Sequence, residues 1–502
     1  MASKSLWMDV DVMPAAGSLP GDLECEVAII GSGIAGLSTA YELSGRGKSV
    51  AVIDRGAIAG GMTSRTSAHL APLCDDLVSE MTKIKGQEET KLFCDSQAAA
   101  VDRIEDIQRR EGIDCDFRRL DGYLFQGRDM PASIIDEELE AVRSVGAPVH
   151  RLVGVPLNNC ENRHVLKYHQ QATFHPQKYL AGVAEVCRHN GVKFFRDTTV
   201  EEVNEDGGIV SIKTSRGTVR AQHAVVATNS SISDRFAIHT KTAPYRTYVM
   251  AFEIKRGALL DALYWDTEEP YHYVRIQPGP GSTDYVLVGG EDHKSGRPDD
   301  ANERFKRLET WARELIPGLG KETHRWSGQV LDTIDYAGFI GRDPGGKNIF
   351  VSMGDSGQGL THGVAGAMLN AALILGEQHP WQNLYNPTRV PLKAAKNYLR
   401  ENATTLTNLA EYIAPGELRS LDQLRRGQGA IIRHGLEKIA AFRDEDGRLH
   451  LNSAKCTHIG CHLHWNDFET CWDCPCHGSM FDVDGNPINA PAVGRLGAVA
   501  ET

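Results

Sequence analysis

Cysteine and histidine residues are crowded near the C-terminal end of the chain. Five of its 11 cysteines fall between Cys456 and Cys476. In a reducing compartment such a group binds metal more often than it forms disulfides. Thiolate sulfur and imidazole nitrogen are ligands for zinc and also for iron-sulfur clusters, so residue types alone leave both open. The candidate ligands are Cys456, His458, Cys474 and His477.

The spacing of these four residues favours an iron-sulfur cluster over zinc. They stand in a C-x-H box and a C-x-x-H box, with 15 residues between His458 and Cys474, and neither box has zinc-finger spacing. The boxes resemble those of Rieske [2Fe-2S] proteins of the cytochrome bc type, over about residues 418–493. The resemblance implies that two thiolates hold one iron and two imidazoles the other. It also implies a disulfide between Cys461 and Cys476 and a hydrogen bond from Ser479 to a bridging sulfur.

A glycine-rich turn near the N-terminus has the pattern of a dinucleotide-binding site. A β-branched run at 24–30 leads into the turn at 31–36, helical spacing follows at 37–43, and a second strand at 49–53 ends in Asp54. Glycines allow a tight turn and close approach to pyrophosphate, and the acid accepts the ribose hydroxyls. An ordinary βα turn is the alternative interpretation. The residues predicted to contact this cofactor are Gly31, Ser32, Gly33, Ala35, Gly36, Asp54 and Arg55.

Three later motifs, at 60–69, 222–229 and 353–361, accompany this turn. Together the four resemble the FAD-dependent amine and amino-acid oxidoreductases related to D-amino-acid oxidase, glycine oxidase and sarcosine oxidase, over about residues 27–376. The resemblance implies an α/β FAD-binding domain, Rossmann-like and glycine oxidase-like, with a mixed-sheet substrate domain. Arg65 replaces the histidine that some relatives use to attach flavin covalently, so non-covalent FAD is expected. The further FAD-contacting residues implied are Gly61, Met62, Thr63, Ser64, Val200, Thr228, Gly357, Gln358, Gly359, Leu360 and Thr361.

The substrate-binding residues are predicted from the middle of the chain and from the flanks of the flavin motifs. Residues 271–275 alternate, which places two tyrosines and an arginine on one side of a strand, where they could hold an amine and a carboxylate. Aromatic strand faces are more often core, which is the alternative. Two histidines flank the flavin motifs, and one aspartate stands where the relatives carry an acid near the flavin. The catalytic candidates are His69, Tyr271, Tyr273, Arg275, Asp335 and His362.

The order of these motifs predicts the domain organisation. We expect an N-terminal extension at 1–23, an FAD-dependent oxidoreductase at 24–390 with an inserted substrate subdomain at about 163–325, a helical linker at 391–416, and a small all-β Rieske domain at 417–502. Only 25 residues follow His477, which is too few for the mononuclear iron domain of a ring-hydroxylating oxygenase. A second glycine fingerprint for NAD(P)H is also missing from the sequence. The cluster is therefore predicted to relay electrons.

Taken together, the two halves predict a flavin-dependent oxidation of an amine or amino acid. Hydride would pass to FAD, and electrons would leave one at a time through the cluster to a soluble external acceptor. One alternative is electron flow in the opposite direction, in which a soluble donor reduces the cluster and the flavin acts as a reductase or oxygenase. Another is a non-enzymatic electron carrier or redox sensor.

Composition excludes two classes of partner. The net charge is -12, and lysine and arginine are not concentrated anywhere, which disfavours nucleic acid and anionic membrane surfaces. No run of 18 apolar residues predicts a membrane span, and residues 1–19 do not resemble a secretion signal. A cytoplasmic location is the default expectation, and the sequence leaves the oligomeric state open.

Overall fold

The computed structural model describes residues 3–232, 237–296, 300–390, 416–434 and 437–500. Within them the chain forms eight α-helices and 24 strands, arranged in four sheets. Two large sheets belong to residues before 391 and two small sheets to residues after 415. The predicted helical linker at 391–416 lies, except for residue 416, outside the described residues.

The first large sheet has a parallel centre. Its strands are β1 (Leu23–Ile30), β2 (Val50–Ile53), β7 (Lys193–Phe195), β8 (Val200–Asp206), β9 (Ile209–Thr214), β10 (Gly217–Asn229), β16 (Phe339–Arg342) and β17 (Ile349–Met353). The order is β16-β17-β10-β1-β2-β7, with β9 pairing antiparallel to β10 and β8 to β9. Ile30 is in register with Ile53 and with Val226, so the carboxyl ends of three parallel strands meet at one edge. This edge is where open α/β sheets bind ligands.

The second large sheet is antiparallel except where β12 pairs with β4. Its strands are β3 (His69–Leu70), β4 (Arg118–Phe125), β5 (Val149–Val153), β6 (His164–Thr173), β11 (Thr242–Lys255), β12 (Leu263–Asp266), β13 (His272–Pro278), β14 (Thr283–Lys294) and β15 (Glu322–Thr333). The order is β15-β11-β14-β13-β12-β4-β6-β3, and β5 pairs with β6. Three of these strands precede residue 163, where the substrate subdomain was expected to begin.

The eight α-helices of the described residues lie before residue 391. They are α1 (Ile34–Ser44), α2 (Val78–Lys85), α3 (Gln87–Arg110), α4 (Ser133–Ser144), α5 (Pro176–His189), α6 (Ala301–Leu315), α7 (Gly359–Ile374) and α8 (Gln382–Tyr385). Helix α1 packs against α7, and glycines allow the close approach. A Cβ at Gly363 would lie 2.8 Å from the Ile34 side chain, and a Cβ at Gly36 would collide with the Gly31 carbonyl. None of the helices in the described ranges is long and apolar enough to cross a membrane.

The C-terminal module is all-β. One sheet joins β18 (Gln428–His434), β19 (Glu437–Arg443) and β20 (Leu449–Ser453), and the other joins β21 (His464–Asn466), β22 (Cys471–Asp473), β23 (Met480–Phe481) and β24 (Pro487–Asn489). All neighbouring strands in both sheets are antiparallel. The module has its own core, which includes Ile431, Leu463, Trp472 and Phe481. The predicted fold class, an α/β domain with a mixed second sheet and a small all-β domain, is confirmed.

The N-terminal extension supports the turn that follows β2. Trp7 is fully buried and donates a 2.7 Å hydrogen bond from Nε1 to the Thr66 carbonyl. Ser5 Oγ donates to the Ser64 carbonyl at 2.6 Å. The segment is therefore part of the wall beneath this turn, although the sequence had identified it only as an extension.

Candidate functional site

One cavity of about 1190 Å³ runs from the first glycine turn, across the carboxyl edge of the parallel sheet, to the C-terminal module. Asn486–Asn489 and Val493–Arg495 of that module form part of its wall. The predicted cofactor-contacting residues that line it are Gly31, Ser32, Gly33, Ala35, Asp54, Arg55, Gly61, Met62, Thr63, Val200, Thr228, Gly357, Gln358, Gly359 and Leu360. Gly36, Ser64 and Thr361 are not among the lining residues. They shape the turn and helices behind the wall.

Asp54 organises the glycine turn at one end of the cavity. Its Oδ2 accepts hydrogen bonds from the Ser32 amide at 2.8 Å and from Ser32 Oγ at 2.5 Å. Its Oδ1 accepts from the Gly56 amide at 3.0 Å. Ser32 Oγ in turn accepts from the Ala59 amide at 2.9 Å. These bonds place a carboxylate beside the turn, about where an adenosine ribose is expected to lie.

The turn at Met62–Arg65 and the start of α7 also line the cavity. Thr63 Oγ1 accepts from the Ile34 amide at 3.1 Å, which ties this turn to the start of α1. Gln358, just before α7, donates through Nε2 to the carbonyls of Ala71 and Leu73. Gly357 has a φ of +74°, and a Cβ there would collide with the Asp75 carboxylate. The start of a 16-residue helix, with its partial positive charge, therefore faces the cavity beside Asp75.

The end of the cavity beside β13 is aromatic and acidic. Tyr271, Tyr273 and Trp265 line it, and the two tyrosine rings lie 5.8 Å apart. Tyr271 donates to Asp75 Oδ2 at 3.1 Å. Burial raises the pKa of Asp75 to about 6, although the hydrogen bond from Tyr271 opposes the shift. Sequence reasoning missed Asp75, which belongs to none of the four motifs.

Two more aspartates lie around this end. Burial raises the pKa of Asp355, on the cavity wall, to about 6. Asp292 accepts a hydrogen bond from Thr247, which lines the wall, and burial together with the Asp75 charge raises its pKa to about 7. The described wall has three cationic residues, Arg55, Arg65 and Arg495, and each already donates to a protein oxygen.

The two predicted histidines both reach the cavity. His69 packs edge-on against Tyr273 at 5.2 Å, and its buried Nε2 has no hydrogen-bond partner. Burial, with the positive charge of Arg275, lowers the pKa of His69 to about 3. His362 Nε2 accepts from the Gly338 amide at 3.3 Å, and burial lowers its pKa to about 4. Both imidazoles are therefore neutral at pH 7 and only weakly basic.

Two predicted catalytic residues do not line the cavity. Arg275 is fully buried and donates to the carbonyls of Ser67, Ala68, Phe174 and Ile276, with burial lowering its pKa. The alternation along β13 predicted the face of the strand that Arg275 occupies. It did not predict that the side chain is buried behind the cavity wall. Asp335 is also fully buried, with ion pairs to Lys85 at 2.7 Å and Arg389 at 2.8 Å that hold its pKa well below the usual range. Both side chains hold the fold together.

The four predicted metal ligands come together on two loops of the C-terminal module. Cys456 and Cys474 are buried and outside any disulfide, and the rings of His458 and His477 lie 5.1 Å apart. Cys456 has a pKa lowered to about 7, mainly by a hydrogen bond with Cys474 and by backbone amides. Cys461 and Cys476 form the expected disulfide, and Cys474 Sγ lies within 4.8 Å of both its sulfurs. Ser479 Oγ accepts a hydrogen bond from the Ala492 amide at 3.0 Å.

Buried charges join this module to the rest of the chain. Asp473 and Arg246 form a 2.7 Å ion pair, with side chains only 4% and 3% exposed. Glu469 accepts from Arg65 at 2.9 Å and from Ser327 Oγ at 2.6 Å. Phe468 packs edge-on against Phe305 at 4.8 Å. The module is thereby held against β11, β15 and the turn at Met62–Arg65.

Comparison with known families agrees with this geometry. The profile of the family described as FAD dependent oxidoreductase matches residues 26–373, which is more than half of the chain. The chain belongs to the FAD-dependent oxidoreductase family. The profile of the Rieske [2Fe-2S] domain matches residues 416–500, so this enzyme carries both cofactors.

Individual relatives share this organisation to different extents. The enzyme is 28% identical over 501 residues to the Rieske 2Fe-2S iron-sulfur protein YhfW of Bacillus subtilis (strain 168), covering 99% of this chain and 97% of that one. It is 24% identical to the gamma-glutamylputrescine oxidoreductase of Escherichia coli (strain K12), over 76% of this chain and 90% of that one. The glycine oxidase structure from Geobacillus kaustophilus shares the fold with a TM-score of 0.61 at 19% identity, over 73% of this chain and 99% of that one.

The residues present fit both cofactors of the oxidoreductase. For FAD, the cavity is large, the backbone of Gly61 faces it with open space in place of a Cβ, and Asp54 stands at the ribose end. For the cluster, two cysteines and two histidines form the donor set of a Rieske centre, with the disulfide beside them.

Proposed function

We propose that this oxidoreductase oxidises a cationic amine and passes the electrons through its Rieske cluster to a soluble one-electron acceptor. The observation that carries the substrate class is the aromatic and acidic end of the cavity. Asp75 and Asp355 stand on the wall there, and Tyr271, Tyr273 and Trp265 surround the same space. Carboxylates and aromatic rings bind an ammonium group, whereas a substrate carboxylate would be repelled.

The cationic residues on the cavity wall support the same choice. Arg65 is engaged by Glu469 of the Rieske domain, and Arg55 and Arg495 donate to carbonyls of that domain. Arg275, which was expected to bind a substrate carboxylate, is instead surrounded by backbone carbonyls. No described guanidinium on the wall is left without an acceptor, so we favour an amine over an α-amino acid.

The side chains around this end have distinct tasks in the proposed reaction. Asp75, oriented by Tyr271, binds and positions the ammonium group of the substrate. His69 stays neutral at pH 7 and adds no positive charge beside the substrate. The proton that the ammonium group must lose before its carbon can give up hydride passes to Asp75, whose raised pKa makes it the stronger base. When bound, FAD accepts the hydride and the cluster carries electrons one at a time. Water then hydrolyses the imine product, and two equivalents of acceptor take up the two electrons.

Anaerobic titration of the holoenzyme with three groups of compounds tests this proposal. The groups are alkyl amines, diamines, and α-amino acids with the same side chains. We expect the amines and diamines to bleach the flavin absorbance first and then to produce the paramagnetic signal of the reduced cluster. Reduction by α-amino acids alone would contradict the substrate class. Reduction of the cluster before the flavin would instead favour electron flow from the cluster to the flavin. No response to any compound would favour a non-enzymatic electron carrier or redox sensor.

A further inference from the structure

The loop that carries the second pair of cluster ligands faces the flavoprotein part of the chain. His477 is 3% exposed. Next to it, a Cβ at Gly478 would collide with the Gln329 side chain and would lie 3.0 Å from Pro244 Cβ. On the other side, a Cβ at Gly296 would lie 3.0 Å from Pro475 Cα. This ligand loop is therefore packed between β11, β15 and the end of β14.

Gln329 connects this loop to the flavin cavity. It lies on β15, is 4% exposed, and lines the cavity. Its backbone N–H donates to Met62 Sδ at 3.5 Å, in the turn at Met62–Arg65. Its side-chain Oε1 accepts a hydrogen bond from Asn489 Nδ2 of the Rieske domain. Asn489 Nδ2 also donates to the Gly478 carbonyl at 3.3 Å. The buried Gln329 Nε2 has no hydrogen-bond partner in the described structure, so a donor remains for a group bound in the cavity.

The other ligand loop faces outward. Ile459, beside His458, is 47% exposed, and Thr457 and Lys455 are exposed as well. The cluster site therefore has two unlike sides, one buried against the flavoprotein and one open. Electron transfer between fixed redox groups is faster when bonded and hydrogen-bonded atoms fill a short gap. On the buried side, hydrogen-bonded atoms of a single chain connect the ligand loop to the cavity wall.

We propose that Gln329 and Asn489 couple the cluster to the flavin of the same chain through the His477 side. Gln329 and Asn489 are positioning residues in this route, because they act through Gly478 and through the cavity wall. The inference rests on the proposed electron relay but goes further, since it assigns the route and the number of chains involved.

Laser-flash reduction of the anaerobic holoenzyme by 5-deazariboflavin tests the route without a substrate. Redistribution of electrons between flavin and cluster is followed by absorbance over a tenfold range of protein concentration. We expect a rate that does not depend on concentration. Gln329→Met and Asn489→Leu should each lower it about tenfold, which corresponds to about 1.4 kcal/mol. The double variant should be no slower than the slower single variant, because the two residues act through one contact.

Gln171→Leu is the matched control, because Gln171 is buried on β6 of the same sheet and does not line the cavity. Its rate should equal that of the wild type, and FAD content and the cluster's paramagnetic spectrum should be unchanged in every variant. If Gln329→Met loses a cofactor, the same comparison is made with Asn489→Leu. An unchanged rate in either fully loaded variant, or a rate proportional to protein concentration, would overturn the route. No exchange in the wild type would contradict the relay itself.

Discussion

At the scale of single residues, the substrate end of the cavity is governed by carboxylates whose pKa values lie near neutrality. Asp75 has a pKa of about 6 and Asp292 a pKa of about 7, both raised by burial. The two interact through their charges. A carboxylate must be ionised to bind an ammonium group, so protonation of these groups competes with binding of the substrate.

The proposed role of Asp75 predicts a pH profile. For an amine substrate, kcat/KM should rise as the pH increases through about 6 to 7, because Asp75 and Asp292 lose their protons in this range. Asp75→Asn should lower kcat/KM about ten- to a hundredfold and weaken this rise, because a charge-assisted contact is lost. Steady-state kinetics over about four pH units, from about pH 5 to about pH 9, measures both effects. Asp95→Asn on the exposed face of α3 is the control, and an identical fall in that variant would contradict the role.

At the scale of elements, the cofactor cavity depends on how closely α1 approaches the end of β1. Gly36 lies on the first turn of α1, and its missing side chain lets the helix pack directly on the Gly31 carbonyl. The same approach brings the start of α7 against Ile34 and Ala35. The end of β1, the first turn of α1 and the start of α7 are therefore packed closely beside the cavity.

Gly36→Val should therefore displace α1 and abolish binding of FAD. We expect a loss of stability of about 1–3 kcal/mol from overpacking, together with loss of the flavin absorbance after purification. Gly21→Val is the control, because a Cβ at Gly21 meets no atom within 4 Å. Retention of full FAD by Gly36→Val would show that the contact between α1 and β1 is not required.

At the scale of the whole molecule, the Rieske domain is joined to the flavoprotein by charges that are removed from water. Arg246 donates to Ser327 Oγ at 2.8 Å and pairs with Asp473, while Asn466 donates to the same Asp473 oxygen at 2.9 Å. A second pair joins Glu469 to Arg65. Removing one partner of a buried pair leaves the other charge without compensation.

Arg246→Met should accordingly destabilise the enzyme by about 3–5 kcal/mol, because Asp473 would remain buried and unpaired with a cation. Urea unfolding followed by fluorescence measures the loss. Arg109→Met is the control, since Arg109 is exposed on α3 and its pair with Glu105 should contribute about 1 kcal/mol or less. Equal losses in the two variants would contradict a structural role for the domain contact.

The sequence by itself determined both cofactors and the fold class. Local spacing predicts a dinucleotide site and a cluster, because a glycine turn, a terminal acid and two Cys-His boxes each act within a few residues. The order of four motifs along the chain carries the resemblance that implies FAD. Only the tertiary structure decided which side chains reach the substrate end. Arg275 and Asp335 are residues of suitable type at suitable positions in the sequence, but long-range packing buries Arg275 among backbone carbonyls and Asp335 in ion pairs. Asp75 reaches the cavity from a loop that carries no motif. Contacts such as Gln329 with Asn489, 160 residues apart, depend on how the modules pack, which no local pattern encodes.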